Sequence, residues 1–254
     1  MQLHNWYYYF KSALTPEQCK KIIDTGLQLI TEDKANGVDT SAVTFGNNHK
    51  QALIKQNPNV NSIGDKTIEE TSKETGKSPE ELSKNFVIRD SEVTWMGYDW
   101  LYNLINPYVT EANIEAGWNF EVDCSECFQF TVYKPGGFYG WHFDGSSDSK
   151  AAYKREIAGI TPDTRQYTKN NSHIGKVRKI SLTINLNSPG EYEGGNLKFD
   201  FGPHSPRNRF YECEEIRPQG SIIAFPSFLY HQVTPITQGT RYSLVLWVLG
   251  KPFK

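Results

Sequence analysis

Methionine is scarce in this chain, with two in 254 residues, and cysteine stands at only four. A chain of this length can bury a full hydrophobic core without cross-links, so Cys19, Cys124, Cys127 and Cys213 read as free thiols rather than a disulfide framework. Cys124 and Cys127 stand at CxxC spacing, but no second CxxC exists to complete a four-thiolate zinc site. Long apolar runs are missing too: no stretch of 18 apolar residues is present, which excludes a membrane-spanning helix. The opening MQLHNWYYYF lacks the basic region, apolar stretch and small-residue cleavage site of a secretory signal. An intracellular, cytoplasmic protein is expected. Neither charge sign is in excess, with 27 Lys and Arg against 29 Asp and Glu. Bulk nucleic-acid binding and membrane-surface binding are therefore not expected. Internal repeats and low-complexity tracts are absent.

Aromatic residues are abundant: 14 Phe, 14 Tyr and 6 Trp. Mean hydropathy is nevertheless −0.59, so the core must be concentrated in part of the chain. Thr15-Pro16-Glu17-Gln18 supplies an N-cap, a proline at the first helical position and a capping-box glutamine. Cys19, Ile22, Ile23, Gly26, Leu27 and Ile30 follow at helical spacing. Residues 31–89 are polar and aperiodic, apart from a second capped start at Ser78-Pro79-Glu80-Glu81, and read as loops and short helices. Between Trp95 and Ile114 the set Trp100, Leu101, Leu104, Ile105 and Tyr108 predicts a second helix, with Pro107 kinking it or ending a turn. From Cys127 onward the apolar period becomes two, broken by Gly, Pro and Asn clusters. The expected fold is mainly β with supporting helices, in one domain spanning 1–254: helical support and polar loops over 1–120, a β-sandwich or barrel over 121–250. Residues 145–179 interrupt the strands with eight Lys and Arg against three Asp and Glu. No strand pattern is visible there before Val177, and loops this long inside a compact domain are usually functional or disordered.

The residues that carry chemistry lie in the β half. Strict alternation through residues 138–144 puts Phe138, Gly140, His142 and Asp144 on one face and Tyr139, Trp141 and Phe143 on the other, apolar one. His142 and Asp144 can thus share a metal ion. A second histidine, His231, opens a later strand pattern, and Arg241 begins the alternating strand that follows. There Arg241, Ser243, Val245 and Trp247 share one face, while Tyr242, Leu244, Leu246 and Val248 share the other. An inward arginine needs an anionic partner, because an unpaired buried charge is costly, and that strand supplies none. Two histidines and one carboxylate leave three open positions on an octahedral ion, as in non-haem Fe(II) oxygenases. A 2-oxo acid and O2 fill those positions. A second carboxylate on the oxo acid would meet the planar fork of Arg241.

The order His-x-Asp, distal His, then Arg ten residues on resembles the Fe(II)/2-oxoglutarate-dependent dioxygenases, prolyl-4-hydroxylase-like branch. The resembling stretches are residues 129–144 (QFTVYKPGGFYGWHFD), 192–197 (YEGGNL) and 235–243 (PITQGTRYS), with a looser likeness at 14–17 and 89–95. The resemblance implies a double-stranded β-helix (jelly-roll, cupin-like) core. It implies His142, Asp144 and His231 as iron ligands, and Arg241 as the partner of the distal carboxylate of 2-oxoglutarate. It also implies Tyr133 as a hydrogen-bond donor to the same co-substrate, Ser181 as a small hydroxyl beside it, Ser243 on the Arg241 face and Trp247 as a strand aromatic by the site. Cofactors implied are Fe(II), 2-oxoglutarate and O2, with ascorbate as an accessory reductant. Halogenating relatives carry Gly or Ala in place of the carboxylate, so Asp144 favours hydroxylation. The expected reaction hydroxylates an unactivated C–H bond, of a prolyl or other side chain in a peptide or protein, as 2-oxoglutarate becomes succinate. Residues 145–179 are placed to serve as a cover over the site. The alternatives are a nucleic-acid demethylase or small-molecule hydroxylase of the same chemistry and, further off, a non-enzymatic metal-binding sandwich, which gives Arg241 no purpose. His4, His49, His173 and His204 carry no motif, and neither substrate identity nor oligomeric state is legible.

Overall fold

The computed structural model describes residues 5–42, 44–45, 87–146, 149–157, 167–188, 190–203, 205 and 208–253. The capped start at 78–81, His4, His49, His204 and parts of the 31–89 and 145–179 segments lie outside these residues. In chain order the elements are β1 (Tyr8–Phe10), α1 (Pro16–Ala35), β2 (Thr44–Phe45), β3 (Val87–Asp90), β4 (Glu92–Met96) and α2 (Asp99–Glu115). There follow β5 (Cys124–Ser125), β6 (Phe128–Tyr133), β7 (Phe138–His142), β8 (Lys154–Arg155), β9 (Tyr167–Thr168), β10 (Val177–Asn185), β11 (Tyr192–Gly194) and β12 (Leu197–Asp200). The last are β13 (Phe210–Glu212), β14 (Ile222–Pro226), β15 (Tyr230–Val233), β16 (Ile236–Gly239) and β17 (Arg241–Gly250).

Two antiparallel sheets form the body. The larger runs β1-β14-β10-β17-β6-β4 with β5 beside β17, and the smaller runs β13-β12-β15-β7-β3-β2. This is the expected mainly-β jelly-roll, with two supporting helices among the described residues. Three strands of the large sheet, β6, β10 and β17, show why the helices lie where they do. Phe128, Phe130 and Val132, Ile180, Leu182 and Ile184, and Leu244, Leu246 and Val248 share one buried cluster with Ile22 and Ile30 of α1 and Leu101, Ile105 and Val109 of α2. The opposite face of the same strands carries Gln129, Thr131 and Tyr133, Ser181 and Thr183, and Arg241 and Ser243. The helices cover the apolar face, so the polar face turns to the smaller sheet.

Helix α1 begins as expected: the Thr15 hydroxyl accepts from Gln18 N at 3.2 Å, and Gln18 Oε1 accepts from Thr15 N at 2.8 Å. Its close seat on the sheet depends on Gly26, where an added Cβ would lie 2.4 Å from the Phe130 ring. Helix α2 carries the expected set from Trp100 to Tyr108. It starts at Asp99, after Trp95 in β4, and it continues through Pro107 rather than ending there. Leu101 and Ile105 before the proline and Val109 and Ala112 after it bury on the same surface, which outweighs one missing amide donor. The first 120 residues also contribute more than support, since β1 and β4 edge the large sheet while β2 and β3 edge the small one. Residues 145–179 hold a short 3-10 turn, Ser149–Ala151, and a parallel pair β8 and β9 where no strand was expected.

Candidate active site

The two sheets enclose a recess with about 440 Å³ of atom-free space including its mouth. His142 lies at the end of β7, Asp144 just beyond it, and His231 on β15 directly opposite His142 in the ladder. Asp144 is held by backbone: its amide and that of Gly145 both donate to the Ser227 carbonyl at 2.9 Å. The His142 Nε2 to Asp144 Oδ1 distance is 3.5 Å, and His231 Nε2 to Asp144 Oδ2 is 3.6 Å. The remaining ring nitrogens are engaged, His142 Nδ1 with the Gly140 carbonyl at 2.8 Å and His231 Nδ1 with the Leu229 carbonyl at 2.9 Å. A carbonyl only accepts, so each Nδ1 carries the proton and each Nε2 presents a lone pair toward Asp144. Burial, with the neighbouring His142, drives His231 down to about 4 against the pull of Asp144. Its imidazole is therefore neutral at neutral pH. Burial works to raise the Asp144 carboxyl, but the positive charge that His231, His142 and Arg178 can bring beside it outweighs burial and holds Asp144 below the usual carboxylate range. Among the described residues this trio alone brings three metal-ligating side chains within 4.8 Å of one another.

The β17 face behaves as its alternation predicted: Arg241, Ser243, Val245 and Trp247 all line the recess. Arg241 is 1% exposed, and its Nε has no hydrogen-bond partner. Its guanidinium lies 5.6 Å from the Tyr133 ring centre and 6.0 Å from that of Tyr192. Gly195 makes room for it: an added Cβ there would lie 3.0 Å from Arg241 Cδ, and its φ of +60° suits glycine. Tyr133 sits opposite Arg241 in the ladder and also lines the recess. Burial raises its phenol pKa, partly offset by Arg89 and Arg241, which keeps the hydroxyl protonated. The indole Nε1 of Trp247 is buried without a partner. Ser181 is brought less close. It is fully buried and shares a 2.9 Å hydrogen bond with Ser227, while Thr183, two residues on, lines the recess.

Strict alternation misplaces one side chain. On β7, His142 pairs with His231 but Tyr139 pairs with Val233, so three steps on β7 oppose two on β15. That bulge turns Tyr139 into the recess, where its ring stacks on His142 at 3.5 Å between centres. Trp141 and Phe143 do not pack into a core as expected; Phe143 is 56% exposed, and Trp141 stacks on Tyr230. The glycine at 140, inside a strand pattern, is the signal that marks such a bulge. Arg89 was also missed. It is 2% exposed, lines the recess, and donates to Ser91 Oγ at 2.9 Å and Gln129 Oε1 at 2.7 Å.

Residues 149–157 and 167–179 are tied to the rim by Glu126. Its carboxylate accepts from Arg178 at 2.5 and 2.6 Å and from the Tyr153 hydroxyl at 2.8 Å. Arg178 in turn lies 3.8 Å over the Trp247 ring and reaches the Asp144 carbonyl. Part of the positive surplus of this stretch is matched from outside it, Arg178 by Glu126 and Lys176 by Asp123, while Lys169 pairs within it with Glu156. All four cysteines are free. His173 bonds Asn170 away from the site.

The 2OG-Fe(II) oxygenase superfamily profile matches residues 128–249, the stretch that holds His142, Asp144, His231 and Arg241. This match to the superfamily takes in a little under half of the chain. The chain is 32% identical over 120 residues to a PKHD-type hydroxylase of Stenotrophomonas maltophilia, covering 47% of this chain and 41% of that protein. It is 33% identical over 121 residues to a PKHD-type hydroxylase of Xylella fastidiosa, covering 47% and 43%. The chain thus spans less than half the length of these curated relatives. Similar solved structures include a viral collagen prolyl hydroxylase from Paramecium Bursaria Chlorella virus-1, with a TM-score of 0.52, 17% identity and 97% of each chain covered. A Pseudomonas putida prolyl-4-hydroxylase gives a TM-score of 0.51 at 15% identity, covering 96% of this chain and 91% of that one. At these identities the likeness speaks for the shared jelly-roll fold. Among the described residues no helix is long and apolar enough to cross a membrane.

Proposed function

We propose that the protein is an Fe(II)- and 2-oxoglutarate-dependent hydroxylase acting on an unactivated C–H bond, of a prolyl or other side chain in a peptide or protein substrate. The observation that carries this reading is the pairing, in one recess, of two Nε2 lone pairs converging on Asp144 with a buried Arg241 that makes no ion pair among the described residues. The donor set suits ferrous iron, since two neutral imidazoles and one carboxylate leave adjacent positions open. His142, Asp144 and His231 would hold that iron. Bound iron with 2-oxoglutarate supplies the oxidation: one oxygen atom of O2 enters the C–H bond and the other enters succinate as CO2 leaves.

Arg241 would take the distal carboxylate of 2-oxoglutarate through its planar fork, and Tyr133 would donate its hydroxyl to the same molecule. Ser243 lies two residues inward on the same face, and Trp247 closes the far end with Arg178 behind it. In this reading residues 1–254 act as one unit, with 121–250 the catalytic core and the 145–179 stretch covering the mouth. PKHD-type and prolyl hydroxylase names among the relatives and fold neighbours, one of them solved with a hypoxia inducible factor peptide, support a peptide or protein substrate. The test is succinate formation with Fe(II), ascorbate and 2-oxoglutarate, with proline-containing peptides compared against methylated oligonucleotides. Peptide-stimulated succinate is expected. Succinate formation undiminished in His142→Ala or Asp144→Ala would refute the iron assignment.

A further inference from the structure

Two guanidiniums line the recess, and the hydroxylase reading uses only one. On that reading, the charges of ferrous iron and Arg241 are balanced by Asp144 and the two carboxylates of 2-oxoglutarate. Arg89 is left over. It is as deeply buried as Arg241, at 2% exposed, and arginine does not shed its proton in proteins. Its contacts are neutral: Ser91 Oγ, Gln129 Oε1 and the face of Tyr139, 4.7 Å from the guanidinium. Among the described residues it makes no ion pair. These contacts use two of its five N–H groups and orient the fork, but they do not neutralise it.

The position of Arg89 separates it from the co-substrate. Its guanidinium meets β6 at Gln129, opposite Val245, whereas Arg241 sits opposite Tyr133. Those strand levels are four residues apart, although both guanidiniums bear on the Tyr133 hydroxyl in the recess. Tyr139 lies between Arg89 and the imidazole of His142, stacked on both. An anion on Arg89 would therefore approach from the Tyr139 side, whereas Arg241 is framed by Tyr133 and Tyr192.

We infer that Arg89 receives a carboxylate of the molecule that is hydroxylated, so that the substrate is an acid carrying its carboxylate within reach of the oxidised C–H bond. This rests on the hydroxylase reading above. The carboxylate belongs either to a free amino acid or to an acidic residue next to the target in a peptide.

Calorimetry on the full chain, loaded with Co(II) and 2-oxoglutarate under anaerobic conditions, tests both sources. One arm compares free L-amino acids with their amides. The other compares acetylated peptide amides differing only by Glu or Gln beside a proline. In one arm the acid is expected to bind at least about tenfold tighter than its neutral isostere, the effect of one charged hydrogen-bonded pair. Arg89→Gln should abolish that preference while leaving 2-oxoglutarate affinity within about twofold, and Arg89→Lys should retain part of it. No acid preference in either arm with the wild type overturns the inference, whatever the variants do. Loss of 2-oxoglutarate binding in folded Arg89→Gln also overturns it, by assigning Arg89 to the co-substrate. The 2-oxoglutarate titration of the Co(II)-loaded wild type comes first, and its failure refutes the underlying hydroxylase reading separately.

Discussion

Replacing Arg241 by methionine should move stability and co-substrate affinity in opposite directions. The wild-type guanidinium is 1% exposed, has an unpartnered Nε, and makes no ion pair among the described residues. A buried charge without a partner costs several kcal/mol. The Tyr133 and Tyr192 rings, at 5.6 and 6.0 Å, return about 0.5–2 kcal/mol. Methionine removes the charge, adapts to irregular space and leaves no orphan donor. The apoprotein of Arg241→Met should therefore unfold about 1–2 kcal/mol harder than wild type, raising its Tm by roughly 2–8 °C for a chain of this size. Binding of 2-oxoglutarate should weaken by about 2–5 kcal/mol, the cost of removing one partner from a buried charge pair, or at least thirtyfold in Kd. Thermal melts of the metal-free protein and calorimetric titration of the Co(II)-loaded protein give the two numbers. A variant that melts lower than wild type, or binds 2-oxoglutarate equally well, refutes the assignment of Arg241 as a charge awaiting its anion.

Other substitutions probe the scaffold. Gly26→Ala should lose about 1–3 kcal/mol by overpacking, despite the better helix propensity of alanine, because its Cβ would meet the fully buried Phe130 ring at 2.4 Å; chemical denaturation showing equal or higher stability would contradict the close seat of α1. Glu126→Ala strands the buried cation of Arg178 and should cost about 3–5 kcal/mol, read as a lowered denaturation midpoint with altered tryptophan fluorescence from Trp247; an unchanged midpoint would remove Glu126 as the anchor of residues 149–157. His231 gives a pH signature: its folded value of about 4 lies below the ordinary 6.5, so the unfolded chain binds the extra proton and stability falls as pH drops from about 6.5 to 4. The slope for the metal-free wild type should exceed that of His231→Gln by up to about 1.4 kcal/mol per pH unit in that window, and equal slopes would show His231 to be solvated.

What could be read from the sequence depended on whether the signal was local. The capping box of α1 involves Thr15 and Gln18, three residues apart, and was legible. The alternation of β17 was legible for the same reason, and it placed Arg241, Ser243 and Trp247 on the recess correctly. Tyr139 was misplaced because one bulge, defined only by pairing with β15, inverts the faces within β7. Arg89 was invisible because its neighbours gave no periodicity. Its burial comes from β3 pairing with β7 and from a hydrogen bond to Gln129, forty residues away. Strand β1 is three residues long and owes its existence to the edge of β14.

The two faces of the large sheet explain why such a site is tolerated. Phe130, Leu182 and Leu244 and their helix-side neighbours form a dry core that needs nothing from the recess. The inner face can then hold two buried guanidiniums against a single carboxylate, Asp144, an imbalance that would be destabilising at the centre of a small core. Ligands that restore the balance bind the folded state alone, so they raise its stability by about 2.7 kcal/mol at a hundredfold excess over Kd. Metal and 2-oxoglutarate should therefore stabilise the protein together more than either does alone, because the dianion meets both an iron charge and Arg241. A stabilisation by 2-oxoglutarate that is equally large with and without Co(II) would place the dianion on the arginines alone and separate it from the His142, Asp144 and His231 centre.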